Sequence, residues 1–461
     1  MTYIHADQFR CAIIRGKAQA ELDNLLPYYT SVISKICPTS KENFDKFFNQ
    51  ELANLLGEGT TKKTLDNHRT EIAGKLFGMY YIDAQRVVHI SERTLKLLED
   101  NDQPAFFKDL CLKMQFPSGM NANYTVFEQI NLGINIRQLC FLIAVLKQCD
   151  DLGIFLNVKQ IGYYVLNSKS VLTRQATPEQ VVEQIQIDLG SNILREIPNP
   201  SNKASSYLYQ HVKEQLTLLQ LANIITLSGT SYKINLNEGD FIEFMINLAL
   251  KDPDFDFYSY KDLDKVKNYK ALQISWDFFV SKISDVPPQL LNSNVSEILT
   301  SGLSHIPNID PSITRSFVNT KDLGDAGEAF VFEYEKNLLK PYSLEHKVQN
   351  KAHLRGIGFD IESFSPTDTL EKYIEVKATR RTTPMPEIFA EDVINVTKNE
   401  WIAAEQLQDK FYIYRVIFHN NGVQLFRIQN PFKHYSDGTI SAIPLTYRLS
   451  FSNHSGSFQD V

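Results

Sequence analysis

From Phe44 onward the apolar positions fall at helical spacing, at Phe44, Phe48, Leu52 and Leu55. Thr39 and Glu42 form a capping box ahead of them, in which each side chain satisfies an orphan backbone N–H of the first turn. Gly57 and Gly59 stop that helix. A second helix opens near Thr61, with Leu65, Ile72, Leu76 and Met79 on its apolar side. Its other side carries Lys63, Asp66, Asn67 and Thr70, with Lys62 and Arg69 nearby. The run YYIDAQRVVHI then predicts two short strands around a polar turn. A similar order returns at Ser205–Leu221, a helix with Val212, Leu216 and Leu219 inward, followed by NIITL, a turn at Ser228–Ser231, and YKINL. Between the two lie an apolar helix near Arg137–Leu146 and a helix opening at Thr177 and Pro178, where proline suits the first helical position.

After about Asp256 the periodicity loosens. Residues 285–320 hold Pro287, Pro288, Pro307 and Pro311 among serines and asparagines, which predicts a linker with at most short helices. From Asp322 the pattern sharpens into a helix (DLGDAGEAFVFEYEKNLL) and two strands (GIGFDIESF and EKYIEVKAT). Thr397 and Glu400 cap a further helix, and FYIYRVIF with VQLFRIQ closes the run as a hairpin. The expected fold is multidomain. Residues 1–285 form a mainly α region with two winged-helix-like subdomains (about 1–130 and 131–285), since helix, tight turn, helix, hairpin is the order of a winged helix. Residues 286–320 are the linker, and residues 321–461 an α/β domain.

Composition narrows this picture only a little. The chain has 461 residues, 43% apolar and 22% charged, which is ordinary for a soluble protein. No apolar run reaches membrane-spanning length, and the N-terminus lacks an export signal. Five scattered cysteines without a C-x-x-C pair argue against a disulfide framework and structural zinc, so a cytoplasmic setting is expected. A net charge of −7 does not advertise nucleic-acid binding, but a local basic face suffices for it.

The candidate chemistry lies on the strand around 373–379. Alternation puts Ile374, Val376 and Ala378 on one face and Glu375, Lys377 and Thr379 on the other. A hairpin with the preceding strand would bring Asp360 next to Glu375. Two converging carboxylates repel unless a hard cation sits between them, and Mg²⁺ suits such oxygen ligands, with Mn²⁺ expected to substitute. Lys377 supplies a positive donor, and burial could lower its pKa enough to handle a proton. Glu328, on the preceding helix, can reach the same cavity as a further metal ligand. E-x-K alone is a common pattern of a solvated strand face. Here it follows an Asp after a Gly-rich turn and a helical Glu, in the order αβββαβ.

The strings GEAFVFEY, GFD and EVK resemble the PD-(D/E)XK restriction-endonuclease-like superfamily, and the helical glutamate is similar to that of its archaeal Holliday-junction-resolvase branch. This resemblance implies catalytic roles for Asp360, Glu375 and Lys377, with Glu328 as the helical glutamate. The proline that names the motif is absent, since Phe359 precedes the Asp. DQFRCAIIRGKAQ, TTKKTLDNHRTEIAGKLFGMYY and DQPAFFKDLC resemble the recognition domain of BpuJI-like type IIS restriction endonucleases. That implies reading a short asymmetric site in double-stranded DNA and cutting outside it. It also implies nuclease domains that pair, at least on DNA, and a companion DNA methyltransferase.

Residues expected to touch DNA are Lys62, Lys63, Asn67, His68 and Arg69 on the second helix, since Arg and Lys donate to guanine and Asn can pair with adenine. Arg10, Arg15 and Lys17 form a second basic cluster able to hold phosphates. Lys203, Gln210, His211 and Lys213 are candidates in the second subdomain, and Arg380 and Arg381 could hold the cleaved strand. The competing readings are a winged-helix regulator with an inactive nuclease fold, and a structure-specific or end-directed nuclease.

Overall fold

The computed structural model describes the chain except residues 1–2, 15–18, 58, 194, 261, 263–264, 307–321, 355, 368–369, 388–390 and 443–461. The N-terminal region is mostly helical, and one hydrophobic core runs through it from Cys11 to Leu291. Helix Gln19–Ile36 leads to the short strand Thr39–Ser40 and helix Lys41–Leu56. Thr39 pairs with Val88, so Ser40 caps this helix in its place and accepts from Asn43 N at 3.4 Å. Phe44, Phe48 and Leu52 are fully buried, as their spacing predicts. The next helix is capped by Thr61 and turns π-helical over Asn67–Leu76, with Leu65, Ile72 and Leu76 inward. The hairpin Tyr80–Ile82 and Val87–Ile90 follows, and Thr39–Ser40 pairs on its outer side.

The second unit repeats this plan. Helix Lys203–Leu221 leads into the hairpin Ile225–Ser228 and Ser231–Ile234, flanked by the short strand Leu156–Asn157. Helix Gln138–Asp151 is buried over most of its length, consistent with its unbroken apolar run. Helix Val266–Ser281 was not legible in the sequence. It carries Leu272, Trp276 and Val280 into the same core, and a neighbouring ring, Phe255, packs on Trp276.

The C-terminal region is a five-stranded mixed sheet. Gly422–Gln429 is at one edge, then Phe411–His419, Glu371–Arg380, Ile361–Phe364, and Gln349–Asn350 at the other edge. Only the contact between Glu371–Arg380 and Phe411–His419 is parallel. Helix Leu323–Leu339 covers one face. Its Gly327 lies so close to the central strand that an added Cβ would stand 2.8 Å from that of Ala378. Helix Lys398–Leu407 covers the other, with Ala403 and Ala404 against Phe411 and Ile413.

The described part of the sequence-defined linker is helical at 288–291 and 296–304. Val295, Leu299 and Leu303 repeat at one turn and bury in the C-terminal core. Among the described residues no helix is long and apolar enough to cross a membrane.

Candidate active site

Strand Ile361–Phe364 pairs antiparallel with Glu371–Arg380, Ile361 opposite Ile374. One step further in this register sets Asp360 opposite Glu375, and Asp360 N still donates to Ile374 O at 2.9 Å. Asp360 Oδ2 accepts from Val376 N at 2.8 Å, which fixes the carboxyl over the central strand. Glu375 is 4% exposed, because helices cover both sheet faces. Lys377 Nζ lies 2.7 Å from Glu375 Oε1 and 2.9 Å from Glu400 Oε2. The structure thus brings Asp360, Glu375 and Lys377 together and adds Glu400, which the sequence marks only as a helix cap.

The electrostatics follow from burial. Desolvation raises the Asp360 pKa, with Glu400 adding to it. The Val376 N–H, Lys377 and a hydrogen bond with Glu375 pull the other way. Glu375 is held well above the carboxylate range, first by burial and then by Asp360. Glu328 is pushed up to about 7 by burial, then by the field of Asp360, Asp325 and Asp322. Lys377 departs from expectation. Burial lowers its pKa, but Glu375 and Glu400 outweigh that and leave it above the ordinary lysine value. That direction favours the ammonium form of Lys377.

Among the described residues no three His, Cys, Asp or Glu side chains converge closely enough to hold a metal ion as they stand. The donor set nonetheless suits a hard cation. It is all oxygen, with Glu375 buried and Asp360 and Glu328 half-buried, and its carboxyls repel one another, a situation that a divalent ion relieves.

The expected DNA contacts divide. Lys62, Lys63 and Asn67 are exposed along the first turns of their helix. His68 and Arg69 are not surface donors. His68 is buried and hydrogen-bonded to Tyr29, and Arg69 is caged by Asp45 at 2.9 Å and Asp66 at 2.8 Å, with Asn49 beside it. Both stand on the face of Leu65 and Ile72, three and four residues from each, which is the buried one.

Arg10, Lys203 and Lys213 are exposed, while His211 is half-buried and accepts from Ile13 N at 3.3 Å. That bond ties the segment of Arg10 to the helix of Lys213. Gln210 is half-buried, with Nε2 3.5 Å from Ser206 Oγ. Arg15 and Lys17 lie outside the described residues.

Arg380 and Arg381 also depart from expectation. They are 0% and 3% exposed, with Arg380 bonded to Phe418 O and Asn420, and Arg381 to Asn24. They are closed into the seam between the two regions, with Arg380 N donating to Asn101 O and Arg381 reaching Asn24. That seam has further residues without a sequence signal. Asp23 Oδ2 accepts from Thr382 Oγ1, Thr383 N and Thr383 Oγ1 at 2.6, 2.9 and 2.7 Å. Asn101 O accepts from Thr379 Oγ1 at 2.9 Å and Arg380 N at 3.0 Å, and its Oδ1 accepts from Arg415 at 3.1 Å.

Residues 3–277 match the family model described as restriction endonuclease BpuJI, N terminal. Residues 327–428 match the model described as Protein NO VEIN, C-terminal. Among solved structures, the chain is similar to the BpuJ1 endonuclease binding domain, crystallised in complex with pyrene- and phenanthrene-modified DNA. The two are 45% identical with a TM-score of 0.58, over 61% of this chain and 100% of that one. No curated protein matches the chain.

Proposed function

The chain belongs to the restriction endonuclease family defined by the BpuJI N-terminal region, and from that premise we propose that it is a type IIS-like endonuclease. Residues 1–285 bind a short asymmetric site in double-stranded DNA, and residues 321–461 hydrolyse phosphodiester bonds outside it. The observation that carries the cleavage reading is Asp360 facing Glu375 across the hairpin, with Lys377 two residues on. The mixed sheet with a helix on each face supports the PD-(D/E)XK assignment of the C-terminal region. Two units of helix and hairpin, each with a short outer strand, support the winged-helix reading of the N-terminal one. The DNA-bound neighbour supports the partner.

Asp360, Glu375 and Glu328 would hold Mg²⁺, or Mn²⁺ in its place, and such an ion supplies an activated water and stabilises charge on the scissile phosphate. The chain's own groups do the rest. The Val376 N–H holds Asp360 in place. Lys377, kept as an ammonium, donates to a phosphate oxygen or orients the attacking water. Lys62, Lys63 and Asn67 offer donors to base edges, and Arg10 and Lys213 hold phosphates. One such site cuts one strand, so a double-strand break requires two nuclease domains to pair on DNA. A companion methyltransferase protecting the host's own sites belongs to this reading, as does a prokaryotic cytoplasm.

Plasmid digestion with Mg²⁺, comparing wild type with Asp360→Ala, tests the proposal. Discrete fragments that vanish in the variant are expected, with linear product needing two chains per break. Plasmid left intact at every metal and methylation state tried, by a chain that still binds a defined duplex, would instead identify a DNA-binding regulator with an inert nuclease fold. Paired cuts at one chain per break would refute the pairing.

A further inference from the structure

Glu400 reaches the site from outside the strand pair. It is the third residue of helix Lys398–Leu407, where Glu400 N donates to Thr397 Oγ1 at 3.3 Å and Thr397 N donates to Glu400 Oε2 at 2.9 Å. The same Oε2 lies 2.9 Å from Lys377 Nζ. One carboxylate oxygen therefore serves the helix cap and the lysine together. A side chain already ordered by its own cap loses little further freedom in holding a second partner.

The start of this helix is itself clamped to the turn before Asp360. A Cβ on Gly358 would stand 2.6 Å from Asn399 O and 2.8 Å from Ala403 Cβ, so backbone meets backbone there. Glu400, Lys377 and the turn leading to Asp360 are thus held in one packed unit.

We propose that Glu400 is a positioning residue that holds the Lys377 ammonium in place for the hydrolytic step. This rests on the nuclease reading above and adds a division of labour to it. Glu375 is shared between Lys377 at 2.7 Å and a hydrogen bond with Asp360, so it is the less committed of the lysine's two anchors. Glu400 belongs to another element and is anchored by its own backbone, so it holds the lysine independently of how Glu375 is engaged. Without it Lys377 is left on a flexible four-carbon stem with no second anchor.

Glu400→Gln separates this role from helix capping, because glutamine closes a capping box as glutamate does but carries no charge for the lysine. Two measurements on the full chain test it. The first is competitive acetylation by an N-hydroxysuccinimide ester, read by mass spectrometry with exposed Lys62 as internal reference. Lys377 should react about fivefold faster in Glu400→Gln, having lost one charge-assisted hydrogen bond. Thr397→Ala, which weakens the cap alone, should lower the melting temperature and leave Lys377 labelling near the wild-type rate.

The second is plasmid cleavage with Mg²⁺. There kcat should fall about 10- to 100-fold in Glu400→Gln, with KM for DNA and the melting temperature near wild type. Wild-type labelling of Lys377 in Glu400→Gln, or equal labelling in the two variants, overturns the positioning role even if the plasmid is cut normally. Faster labelling in a chain that never cuts plasmid supports the positioning and defeats the nuclease reading instead.

Discussion

Asp277, a half-buried carboxyl, shows most simply what loss of water does to an acid in this chain. It lies on helix Val266–Ser281, which packs against strand Tyr80–Ile82. Burial pushes its pKa up to about 6, and Lys75 only partly offsets this. Tyr80 and Tyr269 feel its charge and are themselves raised chiefly by burial. An acid whose folded pKa lies above its unfolded value binds its proton more tightly in the folded state. The folded chain therefore gains stability as pH falls from about 6 towards 4, and carries a penalty above that window. Asp277→Asn should raise unfolding stability at pH 7.5 by about 1–2 kcal/mol, allowing for the solvent that still reaches the group. The gain should vanish by pH 4, and urea unfolding at both values measures it. A variant equal to wild type at pH 7.5 would show that Asp277 is well solvated. Arg69 is the opposite case, a cation faced by Asp45 and Asp66, and its charge is spent on the fold rather than left for DNA.

Gly358 connects single residues to elements, because it combines a φ of +84° with a backbone contact that admits no side chain. Gly358→Ala adds left-handed strain to a clash with Asn399 O, and helix Lys398–Leu407 must move away. Destabilisation of about 2–4 kcal/mol is expected, with a loss of plasmid cleavage at temperatures where the variant remains folded. Wild-type unfolding midpoint and cleavage together would show that the helix start is not clamped. The same element shows what the sequence could disclose. The register of Asp360 against Glu375 was legible, because strand alternation and the short span between them leave few pairings. So was the Thr397–Glu400 capping box, a local pattern of side chain and backbone. That Glu400 also meets Lys377 was not legible, since it depends on how a helix docks on a sheet. Helix Val266–Ser281 was missed because its exposed Val266, Ile274 and Phe278 blur the apolar stripe. His68 and Arg69 stand three and four residues after Leu65, on the apolar face by ordinary helical spacing, and their polar side chains concealed that placement.

At the scale of the molecule, one apolar core ends at Leu291 and another begins at Val295, and the join between them is polar. Asp102 receives Ser293 N and Ser293 Oγ, both at 2.7 Å, so the crossing segment is itself pinned to the N-terminal region. Asn101 takes two bonds from the end of the central strand on one carbonyl, and Asp102 makes a parallel bridge to Arg380 there. Arg415 completes the join, reaching Asp392 at 2.8 Å, Ala378 O at 2.8 Å and Asn101. Directional bonds of this kind hold two bodies in one geometry but bury little apolar surface, so the seam depends on a few residues. Asp23 is the sharpest of them, 0% exposed with three donors on one oxygen. Asp23→Ala strands the Thr382 and Thr383 hydroxyls and the Thr383 N–H beside Arg381, whose charge Asp23 partly balances. The cost should be about 2–4 kcal/mol. Because the lost bonds join the two cores rather than lie within either, the variant should unfold in two transitions more widely separated than in wild type. Scanning calorimetry on the full chain measures the separation. A single transition shifted uniformly downward would show that the two cores unfold as one unit and that the seam is stronger than its polar composition implies.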